Sequence, residues 1–279
     1  MGDNKSNKDR FWNLALPIGA NGNRDFAVAS IVLKEFKYVN QLQAIQDLLD
    51  RHQELATARG AEIDELIARD EFPSYIHADM HNDTVTDRVI QSSYEDSVHS
   101  MAAVALIAPF IESMFSHTFR NIGELLSSEK AVPIEHERWQ RASKDTWDCR
   151  YVWTKGGRQK NIVNGIIQMA EATKMTEYLP DDLQPTLEAI FAYRNKMFHC
   201  GLEWPLEERK KFEKQIADRE WKKDWFLISY TNHQPWCYYM SPSFVEHSIS
   251  TCENIVRGIG RFGNAIYAKR FRTEEETNA

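Results

Sequence analysis

A predominantly all-α fold is expected for this chain of 279 residues, on three observations. Apolar residues recur at three- and four-residue steps through most of the sequence, the period of one buried helical face. Only one stretch is rich enough in aromatic and β-branched residues to read as strands. Two serine–glutamate pairs have the spacing of helix-start capping boxes. The expected architecture is an antiparallel helical bundle with a long N-terminal helical region over 1–72, a main helical domain over 73–272 carrying a small β-hairpin near 225–240, and a disordered tail over 273–279. A hydrophobic content of 42% is enough for a sizeable core without staples.

Residues 1–10 are polar and expected to be mobile, with Phe11 to Pro17 docking on the core before the turn residues Gly19, Gly22 and Asn23. From Asp25 a helical pattern through Phe26, Ile31, Val32, Phe36, Leu42, Leu49 and Leu55 predicts one long helix ending near Gly60, and Ile63 to Ala68 predicts a shorter piece. Pro73, Ser74, Asn82 and Asp83 suggest a connector over 73–93, and the best candidate for a domain boundary. Ser92-Ser93-Tyr94-Glu95 then reads as a capping box for a long helix through Met101, Phe110, Phe115 and Ile122, kinked near Ala105 by Pro109.

Residues 127–158 hold Trp139, Trp147 and Trp153 without a sustained period and are expected to form a structured loop. Helical steps return over 160–175 and again from about Asp182 to Cys200, where Gly201 is a suitable stop, followed by a charged helix from Leu206 to about Trp221. Trp225 to Tyr230 and Trp236 to Met240 predict the hairpin and the only sheet, and Ser243-Phe244-Val245-Glu246 is the second capping box, opening a final helix. Cys149, Cys200, Cys237 and Cys252 show no C-x-x-C spacing, and the chain opens on a polar run, so reduced thiols and a cytoplasmic location are expected. The apolar run Met101 to Ile111 is too short to span a bilayer. A net charge of −7 gives no global attraction for nucleic acid, so an RNA site would need a local basic patch.

The functional candidates centre on the helix over 182–200. Asn195 and His199 are four apart and share a face, whereas Arg194, five before His199, lies about 140° round the axis. Arg194 must reach round, or meet a second copy. Two such helices paired across a two-fold axis would bring both sets of Arg194, Asn195 and His199 into one cleft. Tyr193 and Lys196 are neighbouring substrate-binding candidates. Glu112 and His117, on the long helix, are candidates to face the motif, and Lys155, Arg158 and Lys160, beside two glycines just before a helix, are candidates to cradle a phosphate. The G-x-x-x-x-G-K-[ST] pattern of nucleotide hydrolases is missing from the sequence. His77-Ala78-Asp79-Met80-His81 has metal-ligand residue types, but the residues around it read as loop, where the two rings would not share a face.

Arg194-Asn195-x-x-x-His199, late on a helix and followed by Gly201, resembles the R-x4-6-H signature of the HEPN superfamily, in which a polar residue commonly follows the arginine. The resemblance covers roughly residues 180–205. It implies a dimeric helical domain, often a metal-independent endoribonuclease of toxin, defence or RNA-processing systems, with no cofactor; some members only bind. Expected partners are therefore an RNA substrate, a second copy of the chain, and an antitoxin or regulatory protein, with no membrane. Cleavage without a metal needs a base for the 2′-hydroxyl, positive charge at the phosphate and an acid for the departing 5′-oxygen. The alternative is a catalytically silent helical dimer that binds RNA or a regulatory protein through the same cleft.

Overall fold

A computed structural model describes residues 21–33, 37–127, 136, 138–139 and 146–277. Among them are seven α-helices and two two-stranded antiparallel sheets: α1 (Asn21–Leu33), α2 (Tyr38–Ile67), α3 (Tyr75–Ser127), β1 (Tyr151–Thr154), β2 (Gly157–Lys160), α4 (Ile162–Thr173), α5 (Leu183–Cys200), α6 (Leu206–Asp218), β3 (Phe226–Thr231), β4 (Gln234–Met240) and α7 (Pro242–Thr277). The fold is predominantly all-α with small β-hairpins. Met1 to Ala20, including the expected docking of Phe11 to Pro17, lie outside the described residues.

Several elements differ from the sequence expectation for identifiable reasons. The N-terminal pattern is described as two helices rather than one, α1 to Leu33 and α2 from Tyr38, and the buried Tyr38 donates its hydroxyl back to the Phe26 carbonyl at 2.7 Å. Gly60 does not stop α2, which runs on to Ile67. The connector expected over 73–93 is helix, because α3 starts at Tyr75 with the Ser74 hydroxyl accepting from His77 N at 3.4 Å, and continues unbroken through Pro109. Ser92 and Ser93 therefore cap nothing. Ser92 Oγ accepts from Arg59 Nε at 3.0 Å, and Ser93 Oγ accepts from Ser229 at 2.8 Å, so both hydroxyls serve tertiary partners.

The loop expected over 127–158 contains a second hairpin, β1–β2, registered Tyr151 against Lys160. At the start of α7 the capping serine is Ser241, whose hydroxyl accepts from Phe244 N at 3.1 Å, two residues before the one expected; Pro242 takes the first helical position, where its missing N–H costs nothing. The tail expected to be disordered is helical through Thr277. Part of Tyr75–Glu124 is long and apolar enough by composition to cross a bilayer, unlike Met101 to Ile111 alone, yet half of that window is buried within the protein, as in a core helix.

The chain divides into two compact units, one of residues 1–43, 109–188 and 250–279 and the other of residues 44–108 and 189–249. In the first, Phe115, Phe119, Ile166, Met169, Leu187 and Ile259 are buried, and Gly260 lies so close to the Asp25 carbonyl that a Cβ there would overlap it. Arg138 is fully buried and donates to the carbonyls of Thr146, Asp148 and Tyr151 and to Gln168 Oε1 at 2.8–2.9 Å; burial pulls its pKa down to about 10. In the second unit the core is aromatic: Tyr193, Trp204, Phe212, Phe226 and Tyr238 have neighbouring ring centroids 5.1–5.8 Å apart, within the range of favourable ring pairs. Asn232 and His233 close the β3–β4 turn at φ +49° and +59°, the mirror-image turn that suits the twist of a hairpin.

Candidate functional site

Helix α5 buries one face and exposes the other. Leu187, Ile190, Tyr193 and Met197 are inaccessible to solvent, which fixes the rotation of the helix. That rotation leaves Asn195 and His199 exposed and Arg194 partly exposed. The helix ends where Gly201 adopts φ +75°, and Gly201 N donates to the Met197 carbonyl at 3.0 Å, so the glycine provides the left-handed stop that a larger residue would strain. The buried Trp204 then donates its indole N–H to the Gly201 carbonyl at 3.0 Å and locks the exit.

Arg194 Nη1 donates to Asn195 Oδ1 at 3.1 Å, and its guanidinium lies 5.3 Å from the Phe198 ring centroid. Among the described residues no carboxylate pairs with Arg194, and His199 has no hydrogen-bond partner. The end of the helix thus presents a cation unpaired with any carboxylate among the described residues, an amide and an imidazole beside Phe198, a phenyl ring that is 51% exposed.

The other candidates are placed differently. Tyr193 is wholly buried, and its hydroxyl donates to the Tyr238 carbonyl at 2.8 Å, so it is a core residue and not a substrate contact in this protomer. Lys196 is bonded to Glu208, whose carboxyl is held down at about 2 by its hydrogen bonds to Lys196 and Lys211. Glu112 and His117 belong to the first compact unit, whereas Arg194, Asn195 and His199 belong to the second. There His117 Nδ1 donates to the Ser113 carbonyl at 2.7 Å, a bond within its own helix. Lys155 and Arg158 lie on or beside the β1–β2 turn, also in the first unit, with the Arg158 guanidinium 4.2 Å from the Tyr151 ring centroid. Within the second unit, Arg194 and Asn195 are joined by their hydrogen bond, and His199 lies one turn beyond Asn195 on the same helix.

His77 and His81 prove to be on helix, one turn apart, rather than in a loop. Their rings have other engagements: His81 Nε2 donates to the Leu66 carbonyl at 2.8 Å, and His77 Nδ1 lies 2.6 Å from Ser74 Oγ. Among the described residues no group of three or more His, Cys, Asp and Glu side chains could hold a metal ion. A polar cluster absent from the sequence reading is formed by His52, Arg59, Asp96 and His99 on α2 and α3. Its signal was the seven-residue step from His52 to Arg59 and the three-residue step from Asp96 to His99, each of which keeps a helical face. Comparison with protein-family models, curated proteins and solved structures found no match to this chain.

Proposed function

We propose that this chain is a metal-independent endoribonuclease of the HEPN type, acting as a symmetric dimer in a toxin or anti-phage defence setting. The observation that carries the reading is the trio at the end of α5, where among the described residues Arg194 has no carboxylate, Asn195 is held to it and His199 has no hydrogen bond, on a helix whose other face is buried. Buried framework and exposed chemistry are the arrangement that a positioned site needs. The half-exposed Phe198 beside them gives a second copy an apolar surface to cover.

In the dimer, neutral His199 of one copy takes the proton from the 2′-hydroxyl, and the freed O2′ attacks the adjacent phosphorus. The Arg194 fork, which a lysine would not reproduce, holds the phosphoryl oxygens as they gain charge. His199 of the second copy, protonated, gives its proton to the departing 5′-oxygen. The products carry a 2′,3′-cyclic phosphate and a 5′-hydroxyl, and DNA, which lacks the nucleophile, is not cut.

The test compares wild type with Arg194→Ala and His199→Ala on mixed cellular RNA with chelator present, together with far-UV circular dichroism and dimer mass. Discrete fragments with cyclic phosphate ends, reduced about 10²-fold or more in both folded variants, are expected. Retention of RNA without cleavage by a folded wild-type dimer would replace this reading with that of a binding module. Loss of cleavage with chelator would point to metal chemistry.

A further inference from the structure

A cleft of about 330 Å³ opens in the second unit, lined by α2, α3, β3–β4 and the start of α7. That is the size of a site for a small organic molecule. Leu49, Ala103 and Met240 supply apolar wall, and Arg59, Asp96 and the His52–His99 pair supply the polar one.

Arg59 is only 7% exposed and is fully engaged. Its Nε donates to Ser92 Oγ at 3.0 Å, Nη1 to Glu95 Oε2 at 2.7 Å and Nη2 to Asp96 Oδ1, so each nitrogen of the fork already serves a partner. An anion would have to displace them. Asp96 is placed otherwise: it meets Arg59 through one oxygen, and its second has no partner among the described residues. Burial lifts its pKa in spite of Arg59. Arg88 bridges Glu62 and Glu95, so two guanidiniums serve three carboxylates in this network and one negative charge is left over.

The imidazoles of His52 and His99 lie 4.3 Å apart between centroids, tilted by 36°. His52 Nδ1 is shut off from solvent without a hydrogen-bond partner, and His99 has none among the described residues, so no structural hydrogen bond explains the pair. Burial, followed by His52 and Arg59, holds His99 below its ordinary pKa. Two flat rings beside a carboxylate with one oxygen unpaired among the described residues form a surface for a flat, positively charged group.

We propose that this cleft binds a small planar cation, of the amidinium or guanidinium class, with its N–H groups on Asp96 and its flat face against the His52–His99 pair. The proposal does not rest on the reading of Arg194 and His199. It is tested on the full chain at pH 7.5 by calorimetric titration with benzamidine, with benzoate as the isosteric anion. Saturable benzamidine binding, no benzoate binding, and a loss of at least about tenfold in Asp96→Asn and in Ala56→Phe are expected. Ala56→Phe fills the cleft from α2 while keeping every charge, so it decides the matter if Asp96→Asn fails to fold. Absence of benzamidine binding, equal binding of benzoate, or binding unchanged in folded Ala56→Phe would overturn the proposal.

Discussion

Arg59→Ala is the substitution whose cost is most fully set by the structure. The side chain is 7% exposed and makes three hydrogen bonds from α2 to α3, two of them to carboxylates that are themselves 26% and 33% exposed. Removing one partner of a buried, hydrogen-bonded ion pair costs about 3–5 kcal/mol, and the partial exposure of both carboxylates places this case at the lower end, about 3 kcal/mol. With a urea slope of about 3 kcal/mol/M, the upper end of the usual range and suited to a chain this long, the unfolding midpoint should fall by about 1 M.

The loss should also depend on pH. Burial alone would raise Glu95, but its bonds from Gln91 and Arg59 and the charges of Arg59 and Arg88 hold it below the ordinary carboxylate range. A depressed carboxyl contributes stability above its unfolded pKa of about 4.3, and that contribution is lost as the pH falls through the folded value. Asp96 is raised by burial with Arg59 opposing, so without Arg59 it disfavours the folded state more strongly at neutral pH and is relieved on protonation. Both effects make the deficit of Arg59→Ala greatest near pH 7 and smaller near pH 3.5. Urea titrations followed by tryptophan fluorescence at the two values measure this. A deficit below about 0.5 kcal/mol at pH 7, the level of an ordinary surface change, or one that does not shrink in acid, would refute the reasoning.

Glycine substitutions should separate backbone freedom from packing: Gly60→Ala meets nothing within 4 Å inside α2 and should gain about 0.5–1 kcal/mol, whereas Gly260→Ala meets the Asp25 carbonyl and should lose about 1–3 kcal/mol or more, both read from thermal melts. His233→Gly relieves a left-handed backbone at φ +59° and should stabilise the hairpin by about 1 kcal/mol; a lower melting temperature would contradict the turn geometry. His99 faces His52, Arg59 and Glu95, and its folded pKa is depressed, so its contribution is complete above about pH 6.5 and is lost as the pH falls through the folded value. The stability drop between pH 7.5 and 5.5 should therefore be smaller in His99→Phe, and an unchanged drop would assign it to other groups.

Local signals in the sequence were reliable where one element decides its own structure. The α5 periodicity, the Gly201 stop and the β3–β4 hairpin are set by neighbours within a few residues, and each is observed close to its expected bounds. Ser92 and Ser93 carry a helix-start signature that tertiary contacts override: with Arg59 and Ser229 as partners, their hydroxyls are satisfied mid-helix and α3 does not need to begin there. The β1–β2 hairpin was hidden because its second strand, Gly157–Lys160, is polar and exposed and carries no alternating pattern. For the site, Asn195 and His199 follow from helical spacing alone. The burial of Tyr193 could have been read from the same wheel, since it falls with Ile190 and Met197 on one side. The His52–Arg59–Asp96–His99 cluster needs α2 and α3 to meet in register, information that no single helix contains.

Two copies of Arg194, Asn195 and His199 are proposed to make one RNA-cleaving site. The most direct test is a mixing titration, in which wild-type and His199→Ala protomers are exchanged at fixed total concentration and RNA cleavage is read with chelator present. If both imidazoles serve one site, activity follows the fraction of all-wild-type dimers and falls to about a quarter in an equal mixture. A linear fall to about half would show that each protomer works alone, and no cleavage by the folded wild-type dimer would contradict the catalytic account outright.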